Sequence, residues 1–439
     1  MNVAAIRAAV PADVAGIMRS LRAAGFGAYV VGGAVRDVLA GRVPADWDLA
    51  TEASPDQIRA LSPGAAYENR FGTVGVRTDA ETVREVTTFR ADGPSSDARR
   101  PDSVTFLPRI DGDLARRDFT VNAMAFGLAP EASRRLDPVA DGALVDPFDG
   151  AADLGAGMLR AVGDPGARFR EDALRMLRAL RFASRFALQI ETATAEAIRR
   201  DASLAGRLSG ERIGAEIEGM LAAPHPEIGL RALHDLGLAA AIAPSLAAEW
   251  TGDLPDRVAA VGAPGSPDAP DPLGRLAELV APIDDDADAA ALLESWRRPR
   301  ASIASILAIR ALDRSVAAAE AAGGGRTRAI DLRLAAASLT GDAHDAARQL
   351  RRRIAARRGS ACSPSLLATC AAADADGAPA RIGDLAIDGS ALAATLGEAP
   401  GAWLGELLAQ LLVEVAHGRT QNDAPSLLVR ATELRRPLP

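Results

Sequence analysis

Cysteine is scarce in this 439-residue chain: Cys362 and Cys370 stand eight residues apart in one helical stretch, which excludes both a disulfide framework and a cysteine-ligated zinc site. Four scattered histidines leave little for a His-rich metal site. Aromatics are only 4% of the residues, so apolar surface must come from Leu, Ala, Val and Ile, and a mostly helical protein is expected. The longest apolar runs, such as Leu236–Ala243, fall well short of the ~20 residues that span a bilayer, and the N-terminus has no apolar stretch closed by a cleavage site. A cytoplasmic protein without a membrane partner is expected. Lysine is absent altogether; every cation is an arginine.

What remains is the balance of a globular protein, 48% apolar and 25% charged, long enough for about two to four domains of ~100–200 residues. The net charge is −8, but residues 167–222 carry ten Arg against eight acids and are the one net-positive segment. A nucleic-acid partner would therefore be met by local patches and not by a global field.

Residues 26–51 predict strand, turn, helix, turn, strand: the apolar run Ala28–Val31, a Gly-Gly turn, the amphipathic Ala34–Leu39 closed by Gly41, then Asp46–Thr51. Further strands are expected at Gly72–Arg77, Arg84–Phe89 and Ser103–Leu107, with helices at Pro55–Leu61 and Thr120–Ala125. From about Ala167 the pattern turns helical, with Glu171–Phe186, Thr192–Asp201, Ser209–Leu221 and Pro226–Leu236. Thr251–Asp271 and Gly323–Gly325 are expected as a loop and a break. The expected division is a head over 1–166, a neck over 167–222, a body over 223–325 and a tail over 326–439.

Four groups of residues carry chemistry. In Val31-Gly-Gly-Ala-Val-Arg-Asp37, Gly32 and Gly33 let the backbone approach a ligand, and the helix start and Arg36 suit a phosphate; a plain tight turn with an Arg36–Asp37 surface pair fits the same residues. In Asp46-Trp-Asp48, acids at i and i+2 of a strand would share one face, a spacing suited to Mg²⁺. A phosphate cradle followed by a metal pair is what nucleotidyl transfer requires. Arg116-Arg117-Asp118…Asn122 would meet triphosphate and ribose, or simply start a helix. Lastly, Asp172, Arg175, Arg178 and Arg181, following Glu171, recur every three residues as one polar stripe opposite Leu174, Leu177 and Leu180. Carboxylate and guanidinium side by side can mimic a base edge, and three cations against one acid favour an anionic or base ligand over a self-neutralised salt-bridge ladder.

Taken together, these motifs resemble the class II tRNA nucleotidyltransferase and poly(A) polymerase family, in particular its bacterial CCA-adding enzymes. The likeness extends through Phe71–Gly75, Glu85–Arg90, Arg99–Phe106, Ser209–Glu216, Leu385–Gly389 and Gly405–Asn422. It implies an α+β nucleotidyltransferase head with a mixed sheet, of the polymerase-beta-like superfamily, followed by all-α neck, body and tail. It further implies Asp46 and Asp48 as catalytic Mg²⁺ ligands and Gly32, Gly33, Arg36, Arg117, Asp118 and Asn122 as nucleotide contacts. Asp172 and Arg175 would pair with the incoming base, supported by Glu171, Arg178 and Arg181, with Glu85 a possible third carboxylate. The implied partners are CTP, ATP and tRNA lacking its 3′ CCA, handled by a monomer or homodimer; an A-adding enzyme or poly(A) polymerase is the alternative. The linker Arg90–Thr105 has full length, which leans toward CCA or A addition. His234-Asp235 lacks companion ligands for a phosphohydrolase site. Among the many arginines of 348–358, Arg348, Arg351, Arg352 and Arg358 would grip RNA phosphates, if they are not simply a solvated face.

Overall fold

A computed structural model describes residues 3–62, 65–67, 72–79, 82–93, 103–261, 271–323, 325–340, 366, 368–372 and 379–435. The chain forms two compact units, 1–248 and 249–439. Both the head and the neck segments lie in the first, which runs on past residue 222 to Ala248.

The first unit opens with helices α1 (Val3–Ala9) and α2 (Ala12–Ala23), then the strand β1 (Ala28–Val31), helix α3 (Gly33–Leu39), strand β2 (Asp48–Thr51) and helix α4 (Pro55–Leu61). Ser54 caps α4 by accepting from the Gln57 N–H while the Gln57 side chain accepts from Ser54, a complete capping box. Strands β3 (Ala66–Tyr67), β4 (Thr73–Arg77), β5 (Val83–Thr88), β6 (Arg90–Asp92) and β7 (Val104–Phe106) follow, then α5 (Ile110–Ala115), β8 (Ala125–Leu128), β9 (Ala143–Val145) and α6 (Gly150–Gly155). The sheet order is β3-β4-β5-β2-β1-β8-β9, with β2 and β5 parallel and the other neighbours antiparallel, so the mixed sheet is observed. β6 and β7 pair separately.

Alternation along the central strands sends side chains into two cores. Val30, Leu49, Val74, Val86 and Phe126 pack beneath Met18, Leu21, Val35 and Ile58 of the helices, whereas Tyr29, Val31, Ala50 and Ala125 meet Phe89, Ile110 and Leu114 on the other face. Burial on both faces is why β1 and β8 read as continuous apolar runs. The helix expected over Thr120–Ala125 is instead one 3₁₀ turn, Thr120–Asn122, leading into β8, whose close pairing with β1 requires glycine at 127, where a Cβ would fall on the Ala28 carbonyl.

The expected Glu171–Phe186 helix is observed as α8 (Leu174–Phe186), starting three residues later, and a separate helix α7 (Pro165–Glu171) precedes it. The break is at Asp172, whose backbone is extended (φ −150°, ψ 106°) and whose carboxylate accepts from the Leu174 N–H. An Asp that binds its own downstream amide competes with helix continuation. Then come α9 (Thr192–Asp201), α10 (Gly210–Leu221), α11 (Pro226–Asp235), α12 (Leu238–Ile242) and α13 (Pro244–Ala248). Helix α8 packs on α10 and α11 through Met176, Leu177 and Leu180, all fully buried. At Gly229 a Cβ would lie 2.2 Å from Ser184 Oγ and 2.8 Å from the Leu180 carbonyl. Gly229→Ala is therefore expected to destabilise the unit by about 1–3 kcal/mol, read as a lower Tm, because backbone cannot yield as a flexible side chain can.

The second unit is helical: α14 (Leu254–Ala260), α15 (Pro272–Leu279), α16 (Asp286–Ser295), α17 (Arg300–Ala321), α18 (Arg326–Thr340), α19 (Gly389–Leu396), α20 (Ala402–Ala416) and α21 (Ala424–Arg435). Helix α14 occupies part of the expected Thr251–Asp271 loop, starting from the Leu254-Pro255 pair that buries against its neighbours. The break at Gly323–Gly325 separates α17 from α18 as expected. No helix among the described residues is long and apolar enough to cross a membrane. The arginines Arg348, Arg351, Arg352 and Arg358 lie outside the described residues.

Candidate active site

A cavity of about 700 Å³ opens in the first unit where β1, β2, β4 and β5 meet the segment 113–122 and the start of α8. It is lined by Gly33, Arg36 and Asp48 from the sheet side, by Arg117, Asp118 and Asn122, and by Asp172, Arg175 and Arg178. Glu85 lines it too. Nine of the thirteen candidates in the head and neck motifs thus converge on one space, although their sequence separation exceeds a hundred residues.

Gly32, with φ +66°, forms the turn between β1 and α3. A Cβ there would come within 2.3 Å of Arg117 Nη1, so only glycine lets that guanidinium reach the mouth of α3. Arg36 and Asp37 are not a surface pair: both are buried and joined at 2.6 Å. Arg36 also donates to Asn122 Oδ1 and lies over the rings of Phe182 and Phe186, at 5.1 and 4.5 Å. Three of its five N–H groups are thereby used, which leaves donors for a ligand in the cavity.

From Asn122 the chain of contacts continues inward. Its amide donates to Asp118 Oδ1 at 2.9 Å, and Arg178 reaches Asp118 Oδ2 at 2.7–2.8 Å. Burial alone would raise the Asp118 pKa, but Arg178 and the hydrogen bonds from Asn122 and the Phe119 amide together hold it below the usual carboxylate value. The sign follows: a lowered folded-state pKa contributes stability above the ordinary carboxylate range and loses it as the pH falls through the folded value. Asp118→Asn is expected to flatten the loss of Tm on acidification below pH ~4, measured beside the parent by calorimetry.

Asp48 begins β2 and is accessible from the cavity, yet burial among protein atoms, and then the charge of Asp46, push its pKa above the ordinary value against the pull of Arg117. Asp46 does not share the strand face expected of it. It precedes β2, does not line the cavity, and its Oδ1 accepts from the Trp47 N–H at 2.7 Å and faces Arg84 Nη1 at 3.4 Å. Asp46 lies two residues before the first strand residue, so the i, i+2 rule of a strand does not apply to this pair. Among the described residues no three acidic, His or Cys side chains converge as a metal cluster.

The stripe expected on one helix is distributed differently. Arg175 pairs with Glu171 at 2.9 Å and donates to the Arg116 carbonyl at 3.2 Å, Arg178 pairs with Asp118, and Arg181 turns from the cavity to Glu216 at 2.5 Å. Each of the three cations has its own carboxylate, so the excess positive charge inferred from the spacing is compensated by acids brought in from outside the stripe. Gly32, Glu171 and Arg181 support the cavity without lining it.

Two side chains that line the cavity and hold candidate residues in place were missed by the motifs. Asp113, almost fully buried, accepts from Arg116 at 3.0 Å and Arg117 at 3.3 Å and fixes both on the cavity wall. Arg212 of α10 reaches both oxygens of Asp172 at 2.9 and 2.8 Å. The i, i+3 and i, i+4 spacing of Asp113 to its arginines is a readable helical signal; nothing local marks Arg212, which is 40 residues from its partner.

A mixed sheet with a Gly-Gly turn, an acid at the next strand start and an arginine-lined cavity closed by a helical neck defines a nucleotidyltransferase-type head. Residues 28–160 match the poly A polymerase head domain, and residues 187–249 match the probable RNA and SrmB-binding site of polymerase A. Within these two segments the chain is similar to the poly(A) polymerase family. It is 43% identical over 238 residues to the CCA-adding enzyme of Geobacillus thermodenitrificans, which covers 54% of this chain and 55% of that protein. The chain thus spans about half the length of the curated relatives it matches. The fold is similar, at a TM-score of 0.70 and 28% identity over 97% of both chains, to a CCA-adding enzyme of Bacillus stearothermophilus solved in complex with CTP. A CCA-adding enzyme of Thermotoga maritima complexed with tRNA_CCA has a TM-score of 0.70 over 99% of both chains at 20% identity, a likeness of fold.

Proposed function

We propose that this chain adds CCA to the 3′ end of tRNA from CTP and ATP without a nucleic-acid template. The observation that carries this reading is that one cavity is lined both by an acid and arginines suited to a triphosphate and by Asp172 and Arg175, a carboxylate and a guanidinium suited to a base edge. Residues 1–166 serve as catalytic head and 167–222 as base-reading neck, with body and tail over 223–325 and 326–439 for the tRNA.

Asp46 and Asp48 fit a divalent cation, Mg²⁺. Two hard oxygen donors whose mutual repulsion and burial disfavour ionisation at Asp48 are the donor set such a cation relieves. When bound, the cation supplies charge neutralisation at the triphosphate and a lowered pKa for a coordinated hydroxyl. Arg36 and Arg117 hold the phosphates, and Asp118 with Asn122 keeps Arg36 in place. The tRNA 3′-hydroxyl gives up its proton to solvent and its oxygen bonds to the α-phosphorus, while the bond from the α-phosphorus to the oxygen bridging to the β-phosphate breaks and pyrophosphate leaves with that oxygen. Catalysis rests on positioning, which holds the reacting atoms in line.

The test is incubation of the purified protein with tRNA lacking CCA, tRNA ending in C and tRNA ending in CC, with CTP or ATP alone and together. Full addition requires both nucleotides on the first substrate and ATP alone on the last. Incorporation of A only, without C on any acceptor, would favour an A-adding enzyme or poly(A) polymerase.

A further inference from the structure

Asp46 is the anomaly of the site. Of the two acids assigned to a cation it alone stays outside the cavity, with its side chain two-thirds exposed. Its nearest cation is Arg84 on β5, at 3.4 Å. Arg84 has a second and closer partner: its Nε donates at 2.8 Å to Oδ2 of Asp13, on helix α2, which also accepts from the Thr78 hydroxyl at 3.3 Å. One guanidinium is therefore shared between two carboxylates, tightly by one with no link to the cavity and loosely by one assigned to the metal.

Resting on the reading of Asp46 and Asp48 as cation ligands, we propose that Arg84 is a positioning residue that acts as a displaceable counter-cation for Asp46, competing with the divalent metal and anchored by Asp13. Two effects act in the same direction. Arg84 occupies Oδ1 of Asp46, and its positive charge lies beside the place where a cation would sit. Release is inexpensive because Asp13 continues to compensate Arg84 after Asp46 leaves. The long, half-solvated contact is of the kind that a stronger cation displaces. The arrangement keeps Asp46 from crowding Asp48 in the cavity before the metal arrives.

Two substitutions should shift metal affinity in opposite directions. Arg84→Gln removes the competitor and is expected to tighten Mn²⁺ binding, measured on the full chain without nucleotide by the electron paramagnetic resonance of free Mn²⁺, by roughly three- to fivefold. Asp13→Asn removes the anchor, leaves Asp46 as the remaining carboxylate beside Arg84, and is expected to weaken Mn²⁺ binding by a similar factor. Melting curves check that each variant is folded. Unchanged affinity in both folded variants, or weaker binding in Arg84→Gln, would overturn the role of Arg84 while leaving the acids as ligands. A parent protein whose Mn²⁺ binding survives Asp48→Asn would instead remove the cation site itself, and this role with it.

Discussion

Asp48→Asn is expected to lower nucleotide addition by on the order of 10³-fold or more, since the cation it helps to hold would contribute several kcal/mol to stabilising charge in the transition state. The same substitution should leave the fold intact and raise Tm slightly at neutral pH. Burial and then Asp46 raise the Asp48 pKa in the folded chain, so its ionised form opposes folding once the pH exceeds the ordinary carboxylate range. The stability associated with the protonated group is fully present below the unfolded-state pKa and is lost as pH rises through the folded one; an amide, being neutral throughout, escapes that loss. Among the described residues no hydrogen bond to the Asp48 side chain holds the fold together, and its neighbour in the pairing register is Val31, a backbone ladder contact that asparagine preserves. Activity on tRNA ending in CC, Mn²⁺ binding and calorimetry belong in one experiment. Addition within a few-fold of the parent, with a normal melt, would falsify the assignment of Asp48 to the metal.

What could be read from the sequence divides by range. The order of elements in the head follows from local signals: apolar runs at Ala28–Val31 and Ala125–Leu128, the Gly-Gly turn, and the Ser54 to Gln57 capping box that starts α4. Their assembly into one mixed sheet was legible through the family likeness. The cavity residues were legible as residue types but not as partners. The stripe of three arginines looked uncompensated because Asp118 lies 60 positions from Arg178 and Glu216 lies 35 from Arg181, and such pairings have no periodicity to reveal them. The break at Asp172 had a local signal, an acid two residues before an apolar helical run, which is the position from which a carboxylate accepts a backbone N–H and starts a helix. Asp46 shows the converse: a spacing rule valid inside a strand fails two residues before it begins.

That break changes what the two residues proposed to read the base are expected to do when altered. Asp172 is at the hinge between α7 and α8, with both oxygens held by Arg212 and Oδ1 also accepting from the Leu174 N–H, while Arg175 is held by Glu171 and the Arg116 carbonyl. The carboxylate and the guanidinium do not pair with each other; each is oriented by a different neighbour, and both residues line the cavity. Asp172→Ala is therefore expected to collapse discrimination among CTP, ATP, UTP and GTP by about 10- to 100-fold, because a hydrogen-bonding site rejects mismatched bases by stranding buried polar groups, at about 1–3 kcal/mol each. The alanine variant also loses the acceptor that starts α8. Asp172→Asn separates the two effects: its amide oxygen can still accept from Leu174, but its donors replace the lone pairs offered to a base. Both variants should lose selectivity and one or both Arg212 contacts, and Asp172→Ala should be the less stable of the two by about 1 kcal/mol, as for other missing helix starts. The measurement is kcat/KM for the four nucleoside triphosphates on tRNA acceptors ending at each stage, with melting curves alongside. Equal slowing of all four nucleotides by Asp172→Asn, with selectivity unchanged, would mean that Asp172 serves the hinge and Arg212 and does not read the base.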